Sequence, residues 1–147
     1  MSPITATRRI NAPVDIVFHT VADISRFSEA VPHIVNVEFL TEQQSGVGTR
    51  FRETRVMHGK EIATELEVTE YVENDRVRIV ADSHGTVWDT VFSVSEEGAA
   101  TVLAMTMTAN ARTLAAKLTT RMISGMVAKA VEADMDFVKE YCENRQT

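Results

Sequence analysis

The sequence has 147 residues, of which 44% are apolar, and this length fits one domain with a sizeable hydrophobic core. Its net charge of −6 argues against a duplex-binding surface, which would be rich in Lys and Arg, so we expect no nucleic-acid partner. The sequence has no membrane-length apolar stretch, no secretory signal and one cysteine, Cys142, which predicts a cytoplasmic domain without stable membrane insertion.

The chain begins with a predicted strand, ITATRRI, followed by two short helices. Asn11 is expected to cap the first helix, and Pro13 suits its first turn because the missing N–H costs nothing there. The second helix is expected to start from Asp23 as its cap. It ends by Pro32, which disfavours helical conformation at the residue before it.

Residues 34–108 have the pattern of β-strands. The predicted strands are IVNVEFL (34–40), Thr49–Met57, Lys60–Tyr71, Arg76–Ser83, Thr86–Ser95 and Ala100–Thr108. His58-Gly59 and His84-Gly85 are two-residue gaps that end in Gly, a strong hairpin signal because these tight turns need positive φ.

One long amphipathic helix is predicted to follow, from about Arg112 to Glu143. Its apolar stripe, expected to face the sheet, is Leu114, Leu118, Met122, Met126, Ala130, Phe137 and Tyr141. Segregated strands and helices argue for a single α+β domain over residues 1–147. A long curved antiparallel sheet around one helix also tends to leave an internal cavity.

The stretch TRFRETRVMHGK (residues 49–60) has no clean apolar face, but the His58-Gly59 turn fixes its register. In that register Arg52 lies opposite Glu65. Arg50 and Glu67 form a second opposite-charge pair on the same side, and such pairs are typical of a solvated face.

The other side of this hairpin is therefore predicted to face inward. It carries Phe51 opposite Leu66, and with them Glu53 and Arg55 near Thr64. An isolated buried charge would be costly, so two readings stay open. Either Glu53 and Arg55 pair with each other or lie near the wet end of the sheet, or they are the polar anchors of an otherwise apolar ligand cavity.

The second hairpin and the later elements extend this predicted lining. The ligand-contacting residues that we predict are Phe51, Met57, Thr64, Leu66, Ile79, Trp88, Thr90, Phe92, Leu103, Met105, Met107, Leu118, Met122 and Met126. Glu53, as a general base, and Arg55, as a partner for a carboxylate or enolate oxygen, are the candidate catalytic residues. The histidines lack metal-ligand spacing and no cofactor motif is present, so we expect neither metal nor cofactor.

The order of elements resembles that of the START-like, Bet v 1-like helix-grip superfamily, in particular its polyketide cyclase/dehydrase-like members (SRPBCC proteins). The segments that carry the resemblance are INAPVDIVFHTVADISRFSEAVPHI, GVGTRFRET, EVTEYVENDRVRI, WDTVFSV and the terminal helix. The resemblance implies a seven-stranded antiparallel sheet that grips the long helix, with a hydrophobic tunnel between them. In hormone-sensing members the two hairpin loops act as lids, whereas here both are two-residue turns.

Three functions follow from this resemblance as expectations. The first is a protein that binds a small hydrophobic molecule, lipid-, polyketide- or aromatic-like, in the internal cavity. The second is an enzyme of the cyclase/dehydratase type that uses Glu53 and Arg55. The third is a protein-interaction domain, which includes a possible homodimer formed through the sheet edge or the long helix.

Overall fold

The computed structural model describes residues 2–145 and contains seven strands and three helices in those residues. In chain order these are β1 (Ile4–Ile10), α1 (Val14–Ala22), α2 (Ile24–Ala30), β2 (Ile34–Phe39), β3 (Arg50–Met57), β4 (Lys60–Val72), β5 (Arg76–Ser83), β6 (Thr86–Glu97), β7 (Ala100–Ala111) and α3 (Leu114–Asn144). The predicted α+β class and element order are confirmed. Within residues 2–145, no helix is both long and apolar enough to cross a membrane.

The seven strands form one antiparallel sheet in the order β1-β7-β6-β5-β4-β3-β2. Every neighbouring pair except β1–β7 is consecutive in sequence, so the sheet is a meander that brings the first strand beside the last. The sheet curves around α3, which packs most closely on β1 and β7, while α1 and α2 lie across one end of the concave face. This arrangement leaves the middle of the concave face available to line a cavity.

The hairpin registers are the ones that the turns predict. Arg50 pairs with Glu67 and Phe51 with Leu66, and the β5–β6 pair likewise brings Ile79 opposite Thr90. Both residues of each tight turn have positive φ, for example 51° at His58 and 76° at the following glycine. These values are typical of type I′ turns, whose twist matches that of the flanking strands and therefore fixes their register.

The hydrophobic core lies where α1, α2 and the second half of α3 meet the sheet. Its fully buried members include Ile10, Phe18, Leu103 and Val138. Cys142 belongs to the same core and is fully buried. Burying each such side chain contributes about 1.5–3 kcal/mol relative to leaving it in water.

The predicted apolar stripe of α3 is wrong in its first half. Leu114, Leu118 and Met122 are 76%, 54% and 84% exposed. The residues that α3 buries are Ala116, Thr120, Val131, Met135, Val138 and Cys142. Steps of four residues drift by about 40° each around a helix of 3.6 residues per turn, so the predicted stripe leaves the true buried face.

Two predicted caps also differ from the structure. α1 starts after Pro13, and the Asn11 side chain instead accepts a hydrogen bond from Arg9. Asp23 occupies the predicted N-cap position of α2, but its carboxylate accepts hydrogen bonds from other side chains rather than from the first turn of that helix. The side-chain cap that α3 has is Thr113, whose Oγ1 accepts from the backbone N–H of Ala116 at 3.0 Å.

Candidate functional site

A cavity of about 430 Å³ lies between the concave face of the sheet and α3. Most of its wall is apolar, with Phe51, Leu66, Trp88 and Phe92 from the sheet and Met126 from the helix. Strand alternation explains the sheet side, because the residues that share a face with Phe51 all point into the concave side. A space of this size, with few polar groups, has the character of a small-molecule site.

Of the predicted residues, thirteen line this cavity. They are Phe51, Glu53, Arg55, Met57, Thr64, Leu66, Ile79, Trp88, Thr90, Phe92, Met105, Met107 and Met126. The other three predicted contacts lie elsewhere. Leu103 is 0% exposed within the core. Leu118 and Met122 lie on the outer side of α3, because the predicted stripe is rotated away from the buried face of the helix.

Besides Met126 and Ala130, which the predicted stripe includes, the helix wall of the cavity contains eight residues that the stripe did not include. They are Thr119, Thr120, Ile123, Val127, Val131, Asp134, Met135 and Val138. Their spacing of three and four residues was the available signal, since Thr120, Ile123, Val127, Val131 and Asp134 repeat with the period of a helix face. This face therefore provides both the apolar wall and one acidic side chain.

The charged side chains of the cavity form one cluster, Glu53, Arg55 and Asp134. Arg55 Nε donates to Glu53 Oε1 at 3.1 Å, and its Nη1 donates to Asp134 Oδ1 at 3.0 Å. The three side chains are only 17% (Arg55), 13% (Glu53) and 16% (Asp134) exposed. Glu53 and Arg55 thus pair with each other, as in the first of the two readings, and Asp134 from the helix is a partner that the sequence did not suggest.

The cluster holds one positive charge against two carboxyl groups. Burial raises the pKa of Asp134, and the nearby Glu53 adds to this, while Arg55 only partly opposes the rise. Burial alone would lower the pKa of Arg55, but the attraction of Asp134 and Glu53 raises it overall. Asp134 therefore releases its proton less readily than an ordinary exposed aspartate.

Exposed residues in the lining mark where the cavity opens. Ile62, near the β3–β4 turn, His84, in the β5–β6 turn, and Thr119, on α3, are the exposed lining residues of one opening, where Gly85 of the β5–β6 turn lies close to Ala116 of α3. We call this the hairpin end. The β5–β6 turn is fastened there to the short connection between β7 and α3, because the Arg112 backbone N–H donates to the carbonyl of Gly85 at 2.8 Å.

Gln44 and Ser45, from the loop between β2 and β3, are the exposed lining residues at the other end of the cavity. Ser45 Oγ donates to Asp23 Oδ1 at 2.6 Å, and Asp23 Oδ2 also contacts His19 Nδ1 at 3.0 Å. The Nε2 of His19 lies 2.6 Å from Glu73. We call His19, Asp23, Ser45 and Glu73 the His19 cluster, and it ties the β2–β3 loop to α1.

His19 lies between two carboxylates in this cluster. Burial lowers its pKa, but the hydrogen bonds to Asp23 and Glu73 outweigh burial and raise the pKa on balance. In its charged form the imidazole bridges the two carboxylates and helps to hold this end of the cavity together. Within residues 2–145, no group of three or more His, Cys, Asp or Glu side chains is placed to hold a metal ion.

The fold and the cavity together define a class of protein. A seven-stranded antiparallel sheet around a long C-terminal helix, with two short helices after the first strand, is the helix-grip fold of START-like and Bet v 1-like proteins. The chain belongs to the family described as "Polyketide cyclase / dehydrase and lipid transport", which matches residues 1–143. No curated protein matches the sequence of this chain.

Three solved structures show how widely this fold is shared. TTHA0849 from Thermus thermophilus is 19% identical, with a TM-score of 0.80 over 99% of this chain and 100% of its own. Ara h 8.0201 is 12% identical, with a TM-score of 0.75 over 98% of this chain and 99% of its own. The di-domain ARO/CYC protein StfQ from the steffimycin biosynthetic pathway is 11% identical, with a TM-score of 0.78 over 97% of this chain.

The match covers 52% of StfQ, so this chain spans about half the length of that di-domain protein. All three identities are low, and these likenesses therefore establish the fold alone. A ligand or a reaction for this chain has to be argued from its own cavity.

Proposed function

We propose that the protein binds a small hydrophobic molecule, lipid-, polyketide- or aromatic-like, in the cavity between the sheet and α3. The observation that carries the proposal is a largely apolar cavity of about 430 Å³ with a charged cluster in its wall. Burial of apolar ligand surface against such a wall supplies affinity, and the few polar groups orient the ligand. The family description, which includes lipid transport, supports the same class of ligand.

The charged cluster favours a neutral ligand over an anionic one. Arg55 is already shared by Glu53 and Asp134, so a ligand carboxylate would have to compete with two carboxyl groups held at about 3 Å. With both acids ionised the cluster has an excess negative charge, which repels a further anion in a weakly solvated space. A ligand hydroxyl, by contrast, can donate a hydrogen bond to either acid.

A pair of fluorescent probes tests both the binding and the charge preference. We expect the neutral probe N-phenyl-1-naphthylamine to bind in the cavity more tightly than the anionic probe 8-anilinonaphthalene-1-sulfonate. Ala81→Trp places an indole inside the cavity and should abolish binding, and Ala130→Phe should weaken it from the helix side. Ala63→Trp, on the exposed outer side of β4, is the matched control and should bind like the wild type.

Two results would contradict this proposal. One is binding of the neutral probe that Ala81→Trp and Ala130→Phe leave unchanged, which would place the probe outside the cavity. The other is the absence of any retained or added small molecule in native mass spectra of folded protein incubated with apolar candidates. A tighter complex with the anionic probe would refute the charge preference alone.

A second candidate function, dehydration of a β-hydroxy ketone, is favoured by the raised pKa of Asp134 beside Glu53. Glu53 would remove the proton on the carbon next to the carbonyl. Protonated Asp134 would then give its proton to the departing hydroxyl, which leaves as water. Arg55 lies between both acids and would stabilise the negative charge of the enolate.

This reaction would deprotonate Asp134 and protonate Glu53, so a later exchange of protons with solvent must restore both acids. The test is turnover of a β-hydroxy ketone by the wild type and by Asp134→Asn and Glu53→Gln. We expect each substitution to reduce the rate at least about a hundredfold. Equal rates for all three proteins would rule out this chemistry while leaving the binding proposal intact.

A further inference from the structure

The outer side of α3 carries an apolar surface that the fold leaves uncovered. Leu114, Leu118 and Met122 are among the most exposed large apolar side chains of the described residues, at 76%, 54% and 84%. We call these three residues the α3 stripe. They follow one another at four-residue spacing. Leu114 and Leu118 border a groove beside the helix, together with Ala109 and Ala111 of β7. Contiguous exposed apolar surface of this kind marks an interaction site.

The charge around the α3 stripe is opposite to that of the whole protein. Between Glu97 and Glu132 the sequence has four basic residues and no acidic one, although the net charge of the chain is −6. Arg112 forms a salt bridge with Asp82, whereas Lys117, Arg121 and Lys129 are exposed beside or along the stripe. Apolar side chains interleaved with Lys and Arg on an exposed helix are the pattern of helices that lie in a membrane interface.

We propose that the first half of α3, from Leu114 to Lys129, docks the protein on a bilayer surface that contains anionic phospholipids. The α3 stripe enters the headgroup region, while Lys117 and Arg121 contact lipid phosphates. Because the exposed charged side chains around the stripe are basic, we expect this surface to bind an anionic bilayer rather than an uncharged one. This is reversible surface binding, since no described helix is long and apolar enough to span the membrane.

The docking surface lies beside the hairpin end of the cavity. Thr119 and Ile123, which alternate with the α3 stripe along the same turns, line the cavity near its hairpin end. Ile62, another residue of that opening, is 45% exposed and apolar. Docking through the stripe therefore brings the hairpin end close to the bilayer, which is the source of an apolar ligand. This consequence rests on the proposed cavity binding, whereas the docking itself does not.

A second copy of the chain fits this surface less well. Two stripes facing each other would bring Lys117 and Arg121 of both copies together, and such like-charge contacts oppose association. The three side chains are also a small basis for a specific protein interface, which buries roughly 800 Å² on each partner. A nucleic-acid surface, in turn, would not place three large apolar side chains between its basic residues.

Vesicle flotation of the full chain tests the docking directly. The probes are vesicles of phosphatidylcholine alone and of phosphatidylcholine with about one third phosphatidylglycerol. We expect binding to the anionic vesicles, weakened at high salt, and at least tenfold weaker binding to the neutral ones. Leu118→Glu and Arg121→Glu should each reduce binding to anionic vesicles at least tenfold.

Matched controls come from exposed residues away from α3. Val35→Glu on β2, where the valine is 52% exposed, makes the same kind of change as Leu118→Glu. Arg26→Glu on α2 makes the same charge change as Arg121→Glu. Both controls should float with the anionic vesicles as the wild type does, and melting curves establish that all four variants are folded.

Four results would overturn the docking proposal. Three of them come from flotation: the wild type does not float with anionic vesicles, it floats equally with neutral vesicles, or Leu118→Glu and Arg121→Glu leave its flotation unchanged. The fourth is a dimer in sedimentation velocity that Leu118→Glu dissociates, in a protein that binds no vesicles. The last result would assign the stripe to a second copy. Probe binding in the cavity is measured without vesicles, so failure of the docking and failure of the cavity binding remain distinguishable.

Discussion

Arg55 is the residue whose removal most directly tests the reading of the charged cluster. The Arg55→Met variant keeps most of the side-chain length and apolar contacts but leaves Glu53 and Asp134 without their cation. Both carboxyl groups are less than one fifth exposed, so water compensates little for the loss. Removing one partner of a buried ion pair typically costs about 3–5 kcal/mol, because the remaining charge stays buried. We expect a loss of that size in the free energy of unfolding.

The matched control is Arg52→Met on the same strand. Arg52 points to the outer face, is 39% exposed, and pairs with Glu38 and Glu65, which are more than half exposed. Exposed pairs of this kind are worth about 0–1 kcal/mol. For a domain of this size each kcal/mol lowers the melting temperature by about 2–4 °C. Thermal melts should therefore separate Arg55→Met, lowered on the order of 10 °C, from Arg52→Met.

The loss in Arg55→Met should also depend on pH. Burial already raises the pKa of Asp134 in the folded protein above its usual value, and removing the arginine removes the main group that opposes this rise, which leaves only the weaker effect of His33. An acid with a raised folded pKa destabilises the fold when ionised, and this penalty disappears as the pH falls through the folded pKa. The gap between Arg55→Met and wild type should thus narrow towards pH 4 and be largest at neutral pH.

Urea unfolding at pH 7 and pH 5, read by circular dichroism, measures both effects. Adding Glu53→Gln and Asp134→Asn to the Arg55→Met variant removes the stranded charges and should recover much of the loss. The reasoning is refuted if Arg55→Met costs no more than Arg52→Met at pH 7, or if the loss does not shrink at low pH. Either result would mean that water reaches the cluster and solvates both acids.

Two further substitutions test the ends of the cavity and of the long helix. Because the folded pKa of His19 lies above its ordinary value of 6.5, its stabilisation is complete below about pH 6.5 and is lost as pH rises through the folded pKa. The advantage in stability of wild type over His19→Gln should therefore shrink in melts from pH 6.5 upward, and a constant difference would contradict the assignment. Thr113→Ala removes the cap of α3 and should cost about 1 kcal/mol in urea unfolding, whereas Thr69→Ala, on the exposed surface of β4, should cost less.

Local patterns in the sequence predict the sheet well because hairpin geometry is local. The His58-Gly59 turn allows one register, and that register alone separates Arg52 and Glu65 on the outside from Glu53 on the inside. Period-two alternation then assigns the remaining residues of each strand. Most of the sheet side of the cavity could therefore be predicted without any knowledge of long-range contacts.

The helix side could not be predicted in the same way, because the rotation of α3 about its axis is decided by packing. The exposed Leu118 and Met122 are more apolar than the buried Thr120, so hydrophobicity selects the wrong face in the first half of α3. The contact of Arg55 with Asp134 joins residues 79 positions apart and depends on that rotation. A single phase error in the helix thus hides both the third member of the charged cluster and the exposed stripe.

The two proposals place opposite charges on the two sides of one opening. Outside, Lys117 and Arg121 beside the α3 stripe attract anionic headgroups and hold them at the surface of the protein. Inside, Asp134 and Glu53 outnumber Arg55, so with both acids ionised an anionic headgroup that entered the cavity would meet repulsion in a weakly solvated space. A neutral apolar molecule experiences neither effect. The charge distribution would therefore retain the phospholipids outside and admit uncharged molecules dissolved among them.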